Sequence, residues 1–310
     1  MSDGDVKPPL DRRALGRALS RAADATVEEI LTRWTPAHPQ TSRRIAITGA
    51  PGTGKSTLIS SLARARLRMN ERLGVIAIDP TSPFTRGAIL GDRIRMDALA
   101  DDPRLYIRSL ASRRAHDGLA DNVADILAVM DEFAFDEVLL ETVGVGQADY
   151  TVRDLVDTIV LVLIPESGDQ IQAMKAGLME AADIYVVNKS DLPGARKVVA
   201  ELRAVLRSVG RDGWAPQVVE TSARDDRSIE ALADGIDRHL AWRSTLADDT
   251  TRRRTRTRYQ LQSLINRRLD EILTAGPGER FDRPLPELFA DVVARLDIPT
   301  PRAERQQRRG

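Results

Sequence analysis

The sequence contains a glycine-rich loop of the phosphate-binding type. GAPGTGKS occupies positions 49–56, between the apolar run RRIAIT and a helical pattern. In that context glycines let backbone N–H groups surround a β-phosphate, a lysine neutralises phosphate charge and a serine hydroxyl binds Mg²⁺. We therefore expect a nucleotide phosphate site made of Gly49, Ala50, Pro51, Gly52, Thr53, Gly54, Lys55, Ser56 and Thr57.

A polar motif further along the chain, NKSD, follows the apolar run IYVV and is similar to the guanine-specificity motif of GTPases. Asp191 can accept hydrogen bonds from both N1–H and the 2-amino group of guanine. The stem of Lys189 would pack over the nucleotide, and Asn188 would brace neighbouring loops. Alone, these four residues would be an ordinary turn. Downstream of a phosphate loop, they favour a guanine nucleotide, GTP or GDP.

A third motif, TSA at 221–223, also follows an apolar run. It resembles the loop whose backbone N–H contacts guanine O6, which would add Ser222 and Ala223 to the nucleotide site. The signal is weak on its own, because serine and threonine are common helix N-caps.

Carboxylates that could serve a metal ion follow further apolar runs. ETVGVGQ resembles the acidic-x-x-Gly motif that senses a γ-phosphate, with Glu141 where aspartate is commoner. We expect Glu141 to act through a Mg²⁺-bound water and the Gly144 N–H to meet the γ-phosphate. Asp79 closes VIAID and Asp92 lies in GAILGDRIRM, although a helix N-cap explains Asp92 equally well. The predicted metal set is Ser56, Asp79, Asp92 and Glu141.

Lys175 and the arginine run at 251–258 could each be either functional or simply solvent-exposed charges. Lys175 lies in the turn-led segment PESGDQIQAMKAG at 165–177, where it is either a solvated helix charge or a switch residue. The arginine run at 251–258 lacks interleaved aromatic residues, so a solvated helix face is favoured over nucleic-acid contact. The predicted catalytic residues are Lys55, Asp92, Glu141, Gly144 and Lys175.

Composition restricts the class of protein. The chain has 310 residues, 42% of them hydrophobic, with 46 basic and 46 acidic residues and no cysteine. It can bury a full core and has no overall basic field for nucleic acid or an anionic membrane. No apolar run has the roughly 18 residues of a membrane span, and the N-terminus is polar. We expect a cytoplasmic protein with no nucleic-acid or membrane partner.

Short continuous apolar runs alternate with helical patterns from position 43 to about 240. This alternation predicts an α/β fold with a mostly parallel central sheet and helices on both faces. Ligands bind such sheets at the carboxyl ends of the strands, where the motifs fall. We predict an N-terminal helical extension over 1–40, a nucleotide-binding domain over 41–242 and a C-terminal helical arm with a polar tail over 243–310.

Taken in order, GAPGTGKST, AIDPTSPFTRGAILGDRIRM, ETVGVGQ, PESGDQIQAMKAG and NKSD resemble the MeaB/ArgK family. These proteins are GTPase chaperones of adenosylcobalamin-dependent acyl-CoA mutases. The resemblance implies a P-loop GTPase with a C-terminal dimerisation arm, a homodimer, and a client such as methylmalonyl-CoA mutase. It also implies that Lys55, Asp79, Asp92 and Glu141 serve phosphate and Mg²⁺, and that 165–177 is a mobile switch containing Lys175.

Three other functions are weighed against this one. A nickel-delivery GTPase should show histidine or cysteine clusters for its metal, whereas the three histidines here are scattered. An ATP-dependent small-molecule kinase is disfavoured by Asp191, because adenine offers no paired donors to a carboxylate. A non-enzymatic scaffold is hard to reconcile with a lysine, a magnesium ligand and a γ-phosphate sensor together.

Overall fold

Seven parallel strands form the centre of the chain in a computed structural model that describes residues 7–32, 42–80, 101–112, 122–142, 152–166, 182–207, 213–222, 225–246, 249–275 and 278–296. The strands are β1 (Arg43–Thr48), β2 (Leu73–Pro80), β3 (Leu105–Ser112), β4 (Glu137–Glu141), β5 (Thr158–Leu163), β6 (Ile184–Val187) and β7 (Gln217–Glu220). They pair in the order β3-β2-β4-β1-β5-β6-β7, and every described pairing is parallel. The predicted α/β fold is confirmed.

Helices cover both faces of this sheet. The described α-helices are α1 (Arg12–Asp24), α2 (Val27–Thr32), α3 (Lys55–Arg66), α4 (Val123–Glu132), α5 (Ala195–Leu206), α6 (Asp226–Thr245), α7 (Asp249–Thr274) and α8 (Leu285–Arg295). One core cluster joins the sheet to α1, α4 and α5, and the other joins it to α3 and α6. The central strands are buried on both faces, which explains their continuous apolar sequences.

Two separate helices, α1 and α2, are described within the first 40 residues. Ala25 is extended, with ψ of 139°, and separates α1 from α2. The backbone N–H of Thr26 donates to the Glu29 carboxylate at 2.9 Å, and the Glu29 N–H donates to the Thr26 hydroxyl at 3.2 Å. This reciprocal capping box starts a new helix and therefore ends the first one.

The helix α7 connects the beginning and the end of the chain. The Arg267 guanidinium donates to the Asp125 carboxylate of α4 at 2.7 Å and to the Ala25 carbonyl at 2.6 Å. Glu271 accepts a hydrogen bond from the Val27 N–H at 3.0 Å, across a sequence separation of 244 residues. A 3-10 turn, Gly278–Asp282, then leads to α8. Within the described ranges, no helix is long and apolar enough to cross a membrane.

Candidate functional site

The glycine-rich loop lies between the end of β1 and the start of α3. Gly49, Gly52 and Gly54 have φ angles of 145°, 81° and 87°, which L side chains rarely adopt. A Cβ atom at Gly49 would lie 2.3 Å from the Val162 carbonyl oxygen of β5, so the loop backbone packs directly on that strand. Helix α3 begins at Lys55 without a side-chain cap, an arrangement that directs backbone N–H groups and a positive dipole end toward the loop.

Lys55 is held against the backbone of this loop. Its ammonium group donates to the carbonyl oxygens of Gly49 at 2.7 Å and Ala50 at 3.1 Å. The Thr53 hydroxyl donates to the same Ala50 carbonyl at 2.9 Å. Lys55 and Thr53 are both buried. A positive charge is therefore held against the loop backbone at the start of α3, which suits a phosphate group.

Ser56 and Glu141 meet beside the loop. The Ser56 hydroxyl donates to the Glu141 carboxylate at 2.9 Å, and both side chains are buried. The sheet register sets this contact, because Glu141 at the end of β4 pairs with Ile47 of β1. A hydroxyl whose proton is donated to a carboxylate can present its oxygen lone pairs to a cation. The pair therefore fits Mg²⁺, with the serine oxygen as a ligand and the carboxylate next to a metal-bound water.

For the other predicted residues of the phosphate and metal site, the structure gives at most the position of the backbone. Asp79 lies near the end of β2, two residues beyond Ala77, which pairs with Glu141 in the register. The Asp79 backbone is thus at the same edge of the sheet. Within the described residues, no group of three or more His, Asp or Glu side chains is arranged around a metal position. The predictions for Asp92, Gly144, Lys175 and Ala223 lie outside the described residues.

Asn188 connects the predicted base motif to the phosphate loop. Its side-chain amide donates to the Thr53 carbonyl at 2.8 Å, and its side-chain oxygen accepts from the Thr221 hydroxyl at 3.0 Å. Asn188 is buried, and a Cβ atom at Gly54 would lie 2.7 Å from its amide nitrogen. One side chain therefore joins the loops that follow β1, β6 and β7.

The remaining residues of the motif face outward. Lys189 has a positive φ of 55°, and its ammonium group donates to the Gly52 carbonyl at 3.1 Å. Asp191 is exposed, and its carboxylate accepts a hydrogen bond from the Ser222 hydroxyl at 2.9 Å. The Ser222 backbone N–H in turn donates to the Ser228 hydroxyl at 3.1 Å. A carboxylate thus stands at the rim of the site, held by the loop after β7.

Thr221 is a site residue that the sequence reasoning did not single out. The TSA motif directed attention to Ser222 and Ala223, whereas the Thr221 hydroxyl contacts Asn188 and its carbonyl accepts from the Ser190 N–H at 3.0 Å. The sequence signal that could have identified Thr221 was its position directly after an apolar run, in the same motif as Ser222 and Ala223.

A comparison of the chain with known families identifies its family. The profile described as "Methylmalonyl Co-A mutase-associated GTPase MeaB" matches residues 13–277. The chain belongs to the MeaB family. MeaB proteins are GTPases, so the expected enzyme class is confirmed at the level of the family.

Individual relatives agree with membership of the MeaB family. A protein of Pyrococcus abyssi is 40% identical over 264 residues, which are 83% of this chain and 81% of that protein. The GTPase ArgK of Escherichia coli is 32% identical, over 77% of this chain and 73% of its own. The mouse protein named methylmalonic aciduria type A homolog, mitochondrial, is 32% identical over 79% of this chain and 60% of its own length.

A solved structure shares the fold of this MeaB family member. The crystal structure of a LAO/AO transport system kinase superposes with a TM-score of 0.58 and covers 94% of this chain and 95% of its own. The sequences are 23% identical, so this likeness concerns the fold alone.

Proposed function

We propose that this chain is a Mg²⁺-dependent GTP-hydrolysing chaperone that protects or loads an adenosylcobalamin-dependent acyl-CoA mutase, with methylmalonyl-CoA mutase as the expected client. The main support for GTP binding is that the Asn188 side chain connects the base motif to the phosphate loop. The partner part is supported by the description of the family and by the name of the mouse relative.

The base would be recognised at the rim of the site. Asp191 is exposed and charged, so it can accept from N1–H and the 2-amino group of guanine together. Lys189, whose ammonium group contacts the phosphate loop, would cover the ring with its aliphatic stem. Because Asn188 and Thr221 fix the distance between these loops, base and phosphates would be bound as one unit.

The phosphates would lie along the loop at the start of α3. Lys55 would hold β- and γ-phosphate charge, and Ser56 would be a direct metal ligand. Glu141 would hold a metal-bound water through hydrogen bonds, with Asp79 and Asp92 as further carboxylates and the Gly144 N–H on the γ-phosphate. Bound Mg²⁺ supplies charge neutralisation for phosphoryl transfer to water.

Two substitutions separate nucleotide binding from hydrolysis. Lys55→Ala should abolish tight nucleotide binding, because it removes the phosphate-facing charge. Glu141→Gln should still bind GTP but hydrolyse it slowly, because an amide organises the metal-bound water less well than a carboxylate. Titration with a fluorescent GDP and single-turnover hydrolysis measure the two effects. Wild-type turnover in either variant contradicts the assigned role.

The chaperone role is tested by GTP turnover in the presence of the client. We expect low intrinsic turnover that rises when the mutase of the same organism is added, and binding that depends on the nucleotide, because coupling between two sites is reciprocal. Lys175→Ala should remove most of the rise while leaving basal turnover in place, whereas Lys197→Ala on α5 serves as the matched control. A mutase that neither binds nor changes the rate in any nucleotide state excludes the role.

The apolar surface of α8 supports a homodimer. Leu285, Phe289 and Val293 are 77%, 69% and 49% exposed and lie four residues apart, so they share one face of the helix. Light scattering should give a dimer mass that falls to a monomer in Leu285→Asp/Phe289→Asp. Glu287→Arg, on the other side of the helix, should remain dimeric. A monomeric wild-type protein would rule out this assembly.

The apolar residues of α7 lie on two surfaces. Leu264 and Ile272 are buried, whereas Leu261 and Ile265 are 56% and 49% exposed. Leu261 and Ile265 are available to extend a dimer surface. We further propose the three-part organisation 1–40, 41–242 and 243–310 and a cytoplasmic location.

A further inference from the structure

A basic surface lies between α1 and β3, at the opposite end of the strand order from β6 and β7. It is an open groove of about 610 Å³, and five of its seven lining residues are arginines: Arg12, Arg13, Arg17, Arg21 and Arg108. The other two are Gly16 and Ser20. We name this surface the arginine groove. Its concentration of charge is unusual, because the chain as a whole has no net charge.

Three of the arginines form a row along α1, and Arg108 lies behind this row on β3. Arg13, Arg17 and Arg21 are exposed and four residues apart, so they project from one face of α1 at intervals of about 6 Å. Arg108 on β3 is half-buried and donates to the Gly16 carbonyl at 3.1 Å and the Ser20 hydroxyl at 2.8 Å. The groove therefore has a rigid positive floor and a positive wall.

Among the described residues, no carboxylate forms a salt bridge with the five arginines of the groove. The N-cap Asp11 is occupied with the Ala14 N–H at 2.8 Å, and the first turn of α1 has no acidic residue. Asp102 is paired with Arg104 at 2.7 Å, and this hydrogen bond is the main reason that the pKa of Asp102 is lowered, with a further contribution from Arg12. Like charges four residues apart oppose helix formation. An anion from outside the chain would relieve this repulsion.

The chemistry of the lining selects among anions. Arginine forks match phosphate oxygens in a bidentate manner. The groove is open to solvent, so a phosphorylated molecule can approach the exposed arginines directly. A protein partner would need an apolar or aromatic anchor, and a single-stranded nucleic acid would need a stacking surface, but none of the seven lining residues supplies either.

We propose that the arginine groove binds a small soluble molecule bearing two or more phosphate groups, at a site separate from the GTP phosphates. Arg13, Arg17 and Arg21 would contact the phosphate oxygens directly. Arg108 would fix the position of α1 through Gly16 and Ser20 and add its charge from below.

The test uses the full chain with its phosphate loop saturated with Mg²⁺ and GDP, and tripolyphosphate as the probe in isothermal titration calorimetry at low salt. Wild type should bind, with an affinity that falls as salt is added. Arg13→Gln/Arg17→Gln/Arg21→Gln should bind roughly tenfold more weakly, because three exposed ionic contacts are lost. The same titrations without nucleotide in a Lys55→Ala background should give the same difference between the two sequences, so failure of the proposed nucleotide role does not obscure the result.

A matched control removes three exposed arginines elsewhere, as Arg64→Gln/Arg207→Gln/Arg254→Gln, and should retain the wild-type affinity within about twofold if specific contacts, rather than net charge, bind the probe. Equal losses in both triple variants, or no binding by wild type, would overturn the proposal. So would binding of a polyglutamate peptide, or of phosphatidylcholine vesicles containing phosphatidylglycerol, through these arginines while tripolyphosphate does not bind. Those results would assign the groove to an acidic protein or to a membrane.

Discussion

Replacement of Asp191 by asparagine tests how the base would be recognised. In the wild-type protein, two charge-assisted hydrogen bonds should favour GTP over ATP by at least about a hundredfold. Asp191→Asn leaves an amide next to the Ser222 hydroxyl, which donates at 2.9 Å to the wild-type carboxylate. The amide oxygen can keep this hydrogen bond, which directs the amide NH₂ group toward the base. An NH₂ group repels the guanine donors but can donate to the 2-oxo group of xanthine.

The size of the effect follows from the number and exposure of the contacts. Because Asp191 is exposed, each lost hydrogen bond is assigned the lower value for a charged group, about 1.5 kcal/mol. Two such losses give about 3 kcal/mol, or roughly a 150-fold weaker affinity for GTP. The affinity for XTP should rise in the same variant. Ser222→Ala in the Asp191→Asn background should reduce the preference for XTP, because the amide is then no longer oriented.

Competition against a fluorescent GDP, with GTP, ATP and XTP as competitors, measures all of these affinities. Asp226→Asn, a substitution of an exposed aspartate in the first turn of α6, is the control with the same change of charge and should behave as wild type. The reasoning is refuted if Asp191→Asn still prefers GTP over XTP. It is also refuted if the wild-type protein binds ATP as well as GTP.

Two further predictions concern stability. Glu137→Gln should lower the free energy of unfolding by about 3 kcal/mol in urea denaturation, because it removes the carboxylate that pairs with the buried guanidinium of Arg66 at 2.6 Å. Glu230→Gln, in an exposed ion pair, should cost less than about 1 kcal/mol. Burial lowers the pKa of His239, so the folded chain favours the neutral imidazole. Stability should be complete above about pH 6.5 and fall as the pH drops through the folded pKa. His239→Gln should weaken this dependence in a pH series of urea midpoints, and an unchanged slope would contradict the assignment.

Local signals in the sequence predicted the alternation of strands and helices. The run RRIAIT became β1 without a change of boundary, because glycines follow it directly. Helix α6 extends over Asp226–Thr245, and the apolar period of the sequence does not mark its polar first and last turns. The Thr26 and Glu29 capping box is visible in the sequence, but the prediction of an N-terminal helical extension did not use it to place the start of α2.

Long-range contacts could not be predicted in the same way. Asn188 meets the Thr53 carbonyl across a separation of 135 residues, and this contact depends on the strand order that puts β5 between β1 and β6. Similarly, the sequence of α7 does not reveal which side of the helix is buried. Leu264 turned out to be buried and Leu261 exposed, because Arg267 fixes the rotation of the helix against α4.

The contacts between α7 and the N-terminal helices have a consequence for synthesis of the chain on the ribosome. Helix α2 has six residues, too few to persist alone, and Arg267 reaches the Ala25 carbonyl before it across 242 residues. At a typical 5–20 residues per second, that partner emerges roughly 12 to 50 seconds after α2 has been made. Helix α1 can dock earlier, since Arg12 contacts the Leu105 carbonyl of β3. The α2 segment of a nascent chain therefore lacks its contacts with α7 through most of synthesis. We expect products truncated before Arg267 to be cleaved by proteases in the α2 segment.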